Sequence, residues 1–226
     1  ALSKKVVEVQ ADLGVAFDGD GDRTIMVDHL GNIVDGDEIL FVIAKERHRK
    51  NIDIGGVVGT KMSNLGLELA LADLDIPFTR TSVGDRFVLK EMLKRDWLLG
   101  GESSGHIICN DITSTGDGIV SALPALTAVI NTERSLLDLR SQMRKLPQSM
   151  INVKLTNTFD LESNQNVKSA VANIEEKLGT MGRVLLRPSG TEPVLRVMVE
   201  GEEGDTVATY AKELSEIVLQ EVNGSD

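Results

Sequence analysis

The sequence predicts an α/β domain followed by a small α+β domain. Short apolar segments alternate with amphipathic segments of helical period between residues 35 and 145, as in a sheet with mainly parallel strands. Beyond Pro147-Gln148 the order changes to strand, helix, two strands and helix, which is typical of a small α+β domain. We therefore expect a domain boundary near residue 147.

The first 34 residues have an order of their own. Leu2, Val6 and Val9 recur at helical spacing, so the sequence given is expected to begin within a helix. The apolar run Leu13–Phe17 predicts a buried strand, and Thr24–Val27 predicts a second one. A polar loop of glycine and aspartate joins the two strands.

Carboxylates mark several predicted helix starts in the alternating region. Asp35 or Asp37 can cap a helix that runs to about Arg49, because a side-chain oxygen before a helix accepts its first free N–H groups. Asp85 is placed to cap a later helix in the same way. The other elements expected here are strands at 57–58, 78–82 and 97–99, and helices at 65–74, at 86–94, after Asp117 and from Ser135.

The elements expected beyond residue 147 are fewer. They are a strand at 151–155, a helix at 163–178, two strands around 187–193 and a final helix from about 205 to 222.

Charge and composition limit the classes of function. The chain has 24 Lys and Arg against 35 Asp and Glu, a net charge of -11, which argues against nucleic acid or an anionic membrane as partner. The single cysteine, Cys109, excludes a disulfide framework and suits a reducing compartment. The longest uncharged stretch, Gly118–Thr132, is too short to span a membrane. We expect a cytoplasmic protein.

Asp18-Gly19-Asp20-Gly21-Asp22-Arg23 is the first segment that could carry chemistry. Its three carboxylates stand at alternate positions and can turn toward one hard cation, while the glycines permit a tight turn. Oxygen ligands favour magnesium, calcium or manganese over zinc. A calcium EF-hand does not fit, because Arg23 stands where that loop requires glycine.

Three further segments carry polar groups suited to a phosphorylated sugar. Glu102, Ser104 and His106 follow an apolar strand and can hydrogen-bond sugar hydroxyls, and an imidazole can move a proton near neutral pH. The segment Arg187-Pro188-Ser189-Gly190-Thr191-Glu192-Pro193, with Arg196 after it, has the hydroxyls, glycine and arginines of a phosphate cradle. In Ser82–Arg86, the side chain of Arg86 can face the same site.

Together the four segments resemble the α-D-phosphohexomutase family. The acidic loop is similar to its magnesium loop, Gly101–His106 to its sugar-recognition loop and Arg187–Pro193 to its phosphate-binding loop. The segments that most resemble members acting on glucosamine phosphate are Gly59–Asn64, Val83–Phe87, Ser104–His106 and Thr115–Gly118. The resemblance implies reversible transfer of phosphate between the 6- and 1-hydroxyls of glucosamine phosphate, by way of a phosphoserine and a bisphosphorylated sugar. It also implies a role in bacterial cell-wall precursor synthesis.

The resemblance also assigns roles to single residues. It implies that Asp18, Asp20 and Asp22 hold Mg²⁺. It further implies that Arg23 pairs with the phosphoserine, and that Arg86 and His106 lie close to the transferring phosphate. The residues implied to bind substrate are Glu102 and Ser104 at the sugar hydroxyls, and Arg187, Ser189, Gly190, Thr191 and Arg196 at the phosphate that does not react.

The sequence departs from the family pattern in one respect. Members have four domains, and the serine nucleophile lies in the first, in a loop of Thr-x-Ser-His-Asn-Pro type. The histidines here, at 29, 48 and 106, do not follow a serine. We therefore expect a C-terminal piece: residues 1–34 from domain two, an α/β sugar-recognition domain at 35–146 and an α+β phosphate-binding domain at 147–226.

Such a piece is expected to lack mutase activity alone and to have the missing N-terminal half as its partner. An incomplete domain exposes strand edges, which favours exchange between chains, so a homodimer is a candidate assembly.

Three other functions fit part of the sequence. Phosphomannomutase or phosphoglucomutase activity would differ only in the sugar. A phosphosugar-binding module without catalysis would keep the Arg187 loop and need no serine. A haloacid-dehalogenase-type phosphatase would use Asp18 and Asp20, but Asp22 stands where that class has Thr or Val.

Overall fold

The structure is a computed structural model that describes residues 1–155, 161, 163–189 and 192–223. It divides into two compact units, Ala1–Lys145 and Leu146–Asp226, each with its own apolar core. Within the described ranges, no helix combines the length and apolar character needed to cross a membrane.

The first unit opens with a helix packed on a three-stranded antiparallel sheet of order β1-β2-β3. These elements are α1 (Leu2–Val9), β1 (Leu13–Phe17), β2 (Thr24–Asp28) and β3 (Ile33–Val34). Phe17 pairs with Thr24, so residues 18–23 form the loop of the β1–β2 hairpin. Gly14 lets α1 approach β1 closely, because a Cβ at Gly14 would lie 2.6 Å from Val6 Cγ2.

A four-stranded sheet of order β5-β4-β6-β7 follows. Its strands are β4 (Val57–Thr60), β5 (Phe78–Thr81), β6 (Leu99–Gly101) and β7 (Ile107–Cys109). β4 runs parallel to β5 and β6, whereas β7 returns antiparallel to β6. The carboxyl ends of three parallel strands therefore meet at one edge, where ligands commonly bind in open α/β sheets.

Helices surround this sheet, and α2 lies at the centre of the core. The helices of the first unit after α1 are α2 (Gly36–Arg49), α3 (Leu65–Ala72), α4 (Asp85–Arg95), α5 (Gly118–Thr132) and α6 (Leu136–Arg140). A capping box starts α2: the Asp35 carboxylate accepts from the N–H groups of Asp37 and Glu38, and Glu38 accepts from the Asp35 N–H. The core is mainly aliphatic, as the low aromatic content requires.

The second unit packs two helices on an antiparallel sheet of order β8-β10-β9. Its elements are β8 (Gln148–Lys154), α7 (Gln165–Leu178), a 3₁₀ turn (Gly179–Met181), β9 (Arg183–Pro188), β10 (Val194–Glu200) and α8 (Gly204–Asn223). Leu195, Val197 and Val199 alternate along the central strand and enter the core with both helices.

The fold class predicted from the sequence is confirmed, and the differences are local. The strand expected at 97–99 lies at Leu99–Gly101, and the two-residue strand Ile33–Val34 was not predicted. The prediction that Asp85 caps α4 is wrong: Gly84, at φ +128°, holds the cap position, and Asp85 is the first helical residue. The Gly84 N–H donates a hydrogen bond to the Glu102 carboxylate.

Candidate active site

The acidic loop, residues 18–23, folds back on the carboxylate at its start. Asp18 Oδ1 accepts hydrogen bonds from the backbone N–H groups of Gly21 (3.0 Å) and Arg23 (3.3 Å). Desolvation acts to raise the pKa of Asp18, but hydrogen bonds outweigh it, and the pKa lies below its usual value. Arg23 Nε lies 3.8 Å from Asp18 Oδ2. The loop thus presents an ionised carboxylate beside a guanidinium.

Asp22 points into the unit. Its Oδ2 lies 3.2 Å from His106 Nδ1, and its Oδ1 is buried without a partner among the described residues. The carboxyls of Asp18 and Asp22 also contact each other. Two carboxylates in contact repel unless a proton or a cation lies between them, and a buried oxygen normally has a partner. This pair of residues therefore fits a hard cation such as Mg²⁺.

Asp20, the third predicted metal ligand, is exposed and lies outside this pair. Across the described ranges, no three His, Cys, Asp or Glu side chains lie close enough together to hold a metal ion. The loop is open on both sides of Asp20, because a Cβ at Gly19 or Gly21 would meet no atom within 4 Å. The three-carboxylate ligand set stays a prediction.

His106 lies buried behind the acidic loop, with 5% of its surface exposed. Its Nε2 has no partner among the described residues. Gly116 packs directly on the ring, since a Cβ there would lie 2.3 Å from Cε1 and Nε2. Glycine at 116 is therefore what allows the imidazole to reach Asp22. The predicted role of His106 at the transferring phosphate is not tested by this contact.

Glu102 and Ser104 belong to the loop after β6, and Arg86 lies in the first turn of α4, at the carboxyl edge of the parallel strands. Glu102 Oε1 accepts a hydrogen bond of 2.9 Å from the Gly84 N–H, which joins the loop after β6 to the start of α4. Ser104 and Arg86 are exposed, and the Arg86 guanidinium lies 4.7 Å from the centroid of the Phe87 ring. The structure thus brings Glu102 to the first turn of α4 and leaves two predicted ligand-binding side chains open to solvent.

The loop that carries Glu102 also bridges to the antiparallel sheet. The Thr24 N–H donates to Gly105 O at 3.0 Å, and the Gly36 N–H donates to Ser103 O at 3.1 Å. Gly105 has φ +93°, and a Cβ there would lie 2.1 Å from Thr24 O. Backbone contacts therefore fix this loop beside the end of the acidic loop.

Two glycines at the start of α5 complete the arrangement, and their residue type alone predicts no role for either of them. The Gly118 N–H donates to Gly21 O at 2.9 Å, and Gly116 packs on His106. The signal that could have found them is the glycine spacing itself, since paired glycines often mark close backbone approach. Asp117 between them accepts from the N–H groups of Ile119 and Val120, so it serves as a helix cap.

The second unit holds the predicted phosphate cradle. Arg187 and Arg196 stand directly opposite each other on β9 and β10. Like charges at such positions destabilise a sheet. Both Nε atoms are buried and have no partner among the described residues. Glu192 Oε2 lies 3.8 Å from Arg196 Nη2, a long contact with an exposed carboxylate. The two guanidinium groups together fit an anion such as phosphate.

The other predicted cradle residues are only partly described. Ser189 follows β9, and its N–H donates to Val194 O at 2.9 Å. Gly190 and Thr191 lie outside the described residues.

Comparison with known families gives this arrangement a context. Residues 35–146 match the model of "Phosphoglucomutase/phosphomannomutase, alpha/beta/alpha domain III", and residues 150–217 match that of "Phosphoglucomutase/phosphomannomutase, C-terminal domain". The chain belongs to the phosphoglucomutase/phosphomannomutase family. The resemblance to phosphohexomutases found in the sequence is thereby confirmed.

Curated relatives in this family share more than half of their aligned residues with the chain. It is 55% identical to "Phosphoglucosamine mutase" of Hahella chejuensis over 217 residues, 96% of this chain and 49% of that protein. It is 55% identical to "Phosphoglucosamine mutase" of Cellvibrio japonicus over 218 residues, 96% of this chain and 49% of the relative. The chain spans about half the length of the curated relatives it matches.

A solved phosphohexomutase has the same fold. The N-acetylphosphoglucosamine mutase of Aspergillus fumigatus, in complex with GlcNAc-6P and magnesium, aligns with a TM-score of 0.78 at 19% identity. The alignment covers 92% of this chain and 49% of that protein.

Proposed function

We propose that this chain forms the metal-loop, sugar-recognition and phosphate-binding part of a phosphoglucosamine mutase, which interconverts glucosamine 6-phosphate and glucosamine 1-phosphate. One observation carries the choice of sugar: the relatives named for this activity are 52–55% identical over 96–99% of the chain. The site geometry supports the chemistry, because it supplies carboxylates for a cation and arginines for phosphate. Phosphomannomutase or phosphoglucomutase activity within the family is the alternative.

In this proposal the acidic loop neutralises charge at the transferring phosphate. Asp18 and Asp22, with Asp20 after a turn of the loop, would hold Mg²⁺, which offsets negative charge on the phosphoryl group. Arg23, beside Asp18, would pair with phosphate on a serine from outside this chain. The buried His106 holds Asp22 from behind and keeps that carboxylate oriented.

The carboxyl edge of the mixed sheet would recognise the sugar. The Gly84 N–H orients the Glu102 carboxylate, whose free oxygen can accept from a sugar hydroxyl or from an ammonium group. Ser104 can bind a second hydroxyl. Arg86, exposed at the first turn of α4, can reach a phosphate oxygen. Polar groups placed on different loops fix the orientation of a bound sugar.

The cradle in the second unit would hold the phosphate that does not react. Arg187 and Arg196 provide the charge, and Ser189, Gly190 and Thr191 provide hydroxyl and backbone donors. A remote clamp of this kind orients the substrate without taking part in bond formation. Local arginines can bind phosphate even though the chain carries a net charge of -11, because the field near a site depends on the nearest groups.

The remaining assignments are proposals of the same kind. We assign residues 1–34, 35–146 and 147–226 to three successive domains of a four-domain enzyme that works in the cytoplasm. Its partners would be a phosphorylated amino sugar and the remaining half of the enzyme. The present chain would be inactive alone, and a non-catalytic phosphosugar-binding role is the alternative for it.

The arginine pair provides a direct test of the phosphate cradle. Arg187→Gln and Arg196→Gln are each expected to weaken binding of glucosamine 6-phosphate by about tenfold or more, since each removes charge-assisted hydrogen bonds. Chemical-shift titration of the 226-residue chain measures this binding. Lys212→Gln, an exposed change of equal charge on α8, is the control. Equal binding by all four proteins would contradict the cradle.

A further inference from the structure

The sheet of the second unit has two faces of different character. Leu195, Val197 and Val199 point from β10 into the core beneath the helices. Side chains alternate along a strand, so the residues between them point to the opposite face. On that face, pairing across β8, β10 and β9 forms rows of three side chains.

Two of these rows carry no unmatched charge. In the first, Glu200 is fully buried and accepts from Gln148 Nε2 at 2.9 Å and from Arg183 Nε at 2.6 Å. The charge of Arg183 is therefore matched within its own row. The next row is apolar, with Met198 between Met150 and Leu185.

The third row differs because it carries excess positive charge. Arg196 stands between Arg187 on β9 and Asn152 on β8. The row contains no carboxylate, and both arginine Nε atoms are buried without a partner among the described residues. Glu192, at 3.8 Å from Arg196, belongs to the exposed loop before β10. By comparison with the Glu200 row, the third row has the cations of an ion pair and lacks the anion.

We propose that Asn152 is a further ligand-binding residue of the phosphate cradle, with its amide N–H donating to a phosphate oxygen. Asn152 is exposed at the position directly opposite Arg196, where side chains on neighbouring strands lie about 5 Å apart at Cβ. A phosphate held over Arg196 is therefore within reach of a short side chain at 152. This inference rests on the proposed function of the arginine pair.

The chemistry of an amide suits this position. The two guanidinium groups supply the charge, so a third cation would add repulsion within the row. An amide adds a donor without charge, and its oxygen can accept from a guanidinium N–H or a sugar hydroxyl. A carboxylate at 152 would repel the phosphate and compete for Arg196. The site would therefore discriminate strongly between Asn and Asp, which are nearly equal in shape.

The test compares variants of Asn152 in the 226-residue chain, using chemical-shift titration with glucosamine 6-phosphate. Asn152→Ala is expected to weaken binding by about tenfold, the order expected for one hydrogen bond to a charged group. Asn152→Asp is expected to weaken it further. Gln220→Glu, an exposed change of the same charge on α8, is expected to bind as the unchanged chain does.

The variant Arg196→Gln distinguishes the proposed role of Asn152 from the proposed phosphate cradle on which that role depends. If Arg196→Gln weakens binding while both Asn152 variants bind normally, the cradle stands and the role of Asn152 is refuted. If neither the unchanged chain nor Arg196→Gln binds, the cradle fails and Asn152 with it. A parallel titration with inorganic phosphate shows which part of the ligand Asn152 contacts. If the Asn152 variants lose the same affinity for inorganic phosphate, the contact is with the phosphate group. Losses with the sugar phosphate alone would place its contact on the sugar and overturn the proposal.

Discussion

Asp37 is an acidic side chain inside the first unit. It occupies the second residue of α2, is 1% exposed, and accepts a 2.8 Å hydrogen bond from the Asn64 N–H. Its other oxygen has no partner among the described residues. Burial, with the nearby Asp35 carboxylate, raises the pKa of Asp37 to about 7. The side chain therefore joins the starts of α2 and α3 while carrying an unfavourable charge at neutral pH.

The raised pKa of Asp37 predicts a pH-dependent stability. Between pH 4 and 7 the folded chain holds a proton that the unfolded chain releases, so this group makes folding less favourable as the pH rises. Above pH 7 the penalty stays constant, at roughly 1–4 kcal/mol. Asn keeps an acceptor for the Asn64 N–H and cannot ionise. Asp37→Asn should therefore gain stability relative to the unchanged chain between pH 5 and pH 8.

Urea unfolding followed by the fluorescence of Trp97, the single tryptophan, measures this in the first unit. Asp73→Asn, an exposed change at the end of α3, is the control and should follow the unchanged chain. If the free energies of unfolding of Asp37→Asn and the unchanged chain differ by the same amount at pH 5 and at pH 8, the raised pKa of Asp37 is refuted.

Asp35, Asp37 and His106 show which contacts the sequence alone does not predict. Asp35 and Asp37 are both plausible caps by spacing, and only the packing of α2 against α3 decides that Asp35 caps and Asp37 is buried. The chemical character of His106 was predicted, but its contact with Asp22, 84 residues away, depends on how two hairpins meet. The chemical character of a residue can be predicted from the sequence, whereas its partners distant along the chain depend on tertiary packing.

At the scale of elements, the β6–β7 hairpin joins the two sheets of the first unit. Its loop contacts β2 through Gly105 and α2 through Ser103. The parallel strands were predicted from apolar runs, whereas the antiparallel return of β7 was not. A run as short as Ile107–Cys109 carries no information on its direction, which pairing with β6 determines.

Gly105 should be the most demanding position of this hairpin loop. A Cβ there would overlap Thr24 O at 2.1 Å and would require a side chain at φ +93°. We expect Gly105→Ala to destabilise the first unit by roughly 2 kcal/mol or more, from backbone strain and lost contact with β2. Gly19→Ala should change stability by less than about 1 kcal/mol, because nothing lies within 4 Å of its Cβ. Trp97 fluorescence in urea compares them, and equal losses would refute the close-approach argument.

At the scale of the whole molecule, the chain has the binding groups proposed above, and its sequence contains no segment of Thr-x-Ser-His-Asn-Pro type. We expect the purified 226-residue protein to show no interconversion of glucosamine 6- and 1-phosphates when supplied with Mg²⁺ and a sugar bisphosphate. The physical reason is that clamps and a cation orient and neutralise phosphate but form no bond to it. The full-length Hahella chejuensis enzyme is the matched control for the assay. Measurable turnover by the chain alone would contradict this prediction.

The two units also differ in how fully the sequence predicted them. The order of elements in the second unit was foreseen, because its strands and helices have clear periodicity and its turns contain glycine or proline. What the sequence did not reveal is that Arg187 and Arg196 face each other, since register depends on the loop between β9 and β10. The residue types therefore predicted a phosphate cradle, but the sequence alone did not predict its geometry.

Cys109 has a practical consequence. It is the single cysteine of the chain, it is fully buried in β7, and burial raises the pKa of its thiol to about 11. Such a thiol is almost entirely protonated at neutral pH and shielded from reagents. A cysteine introduced at an exposed site in each unit would therefore accept a spectroscopic label without removal of the native one. Such labels would report separately on the first and the second unit when a phosphorylated sugar is added.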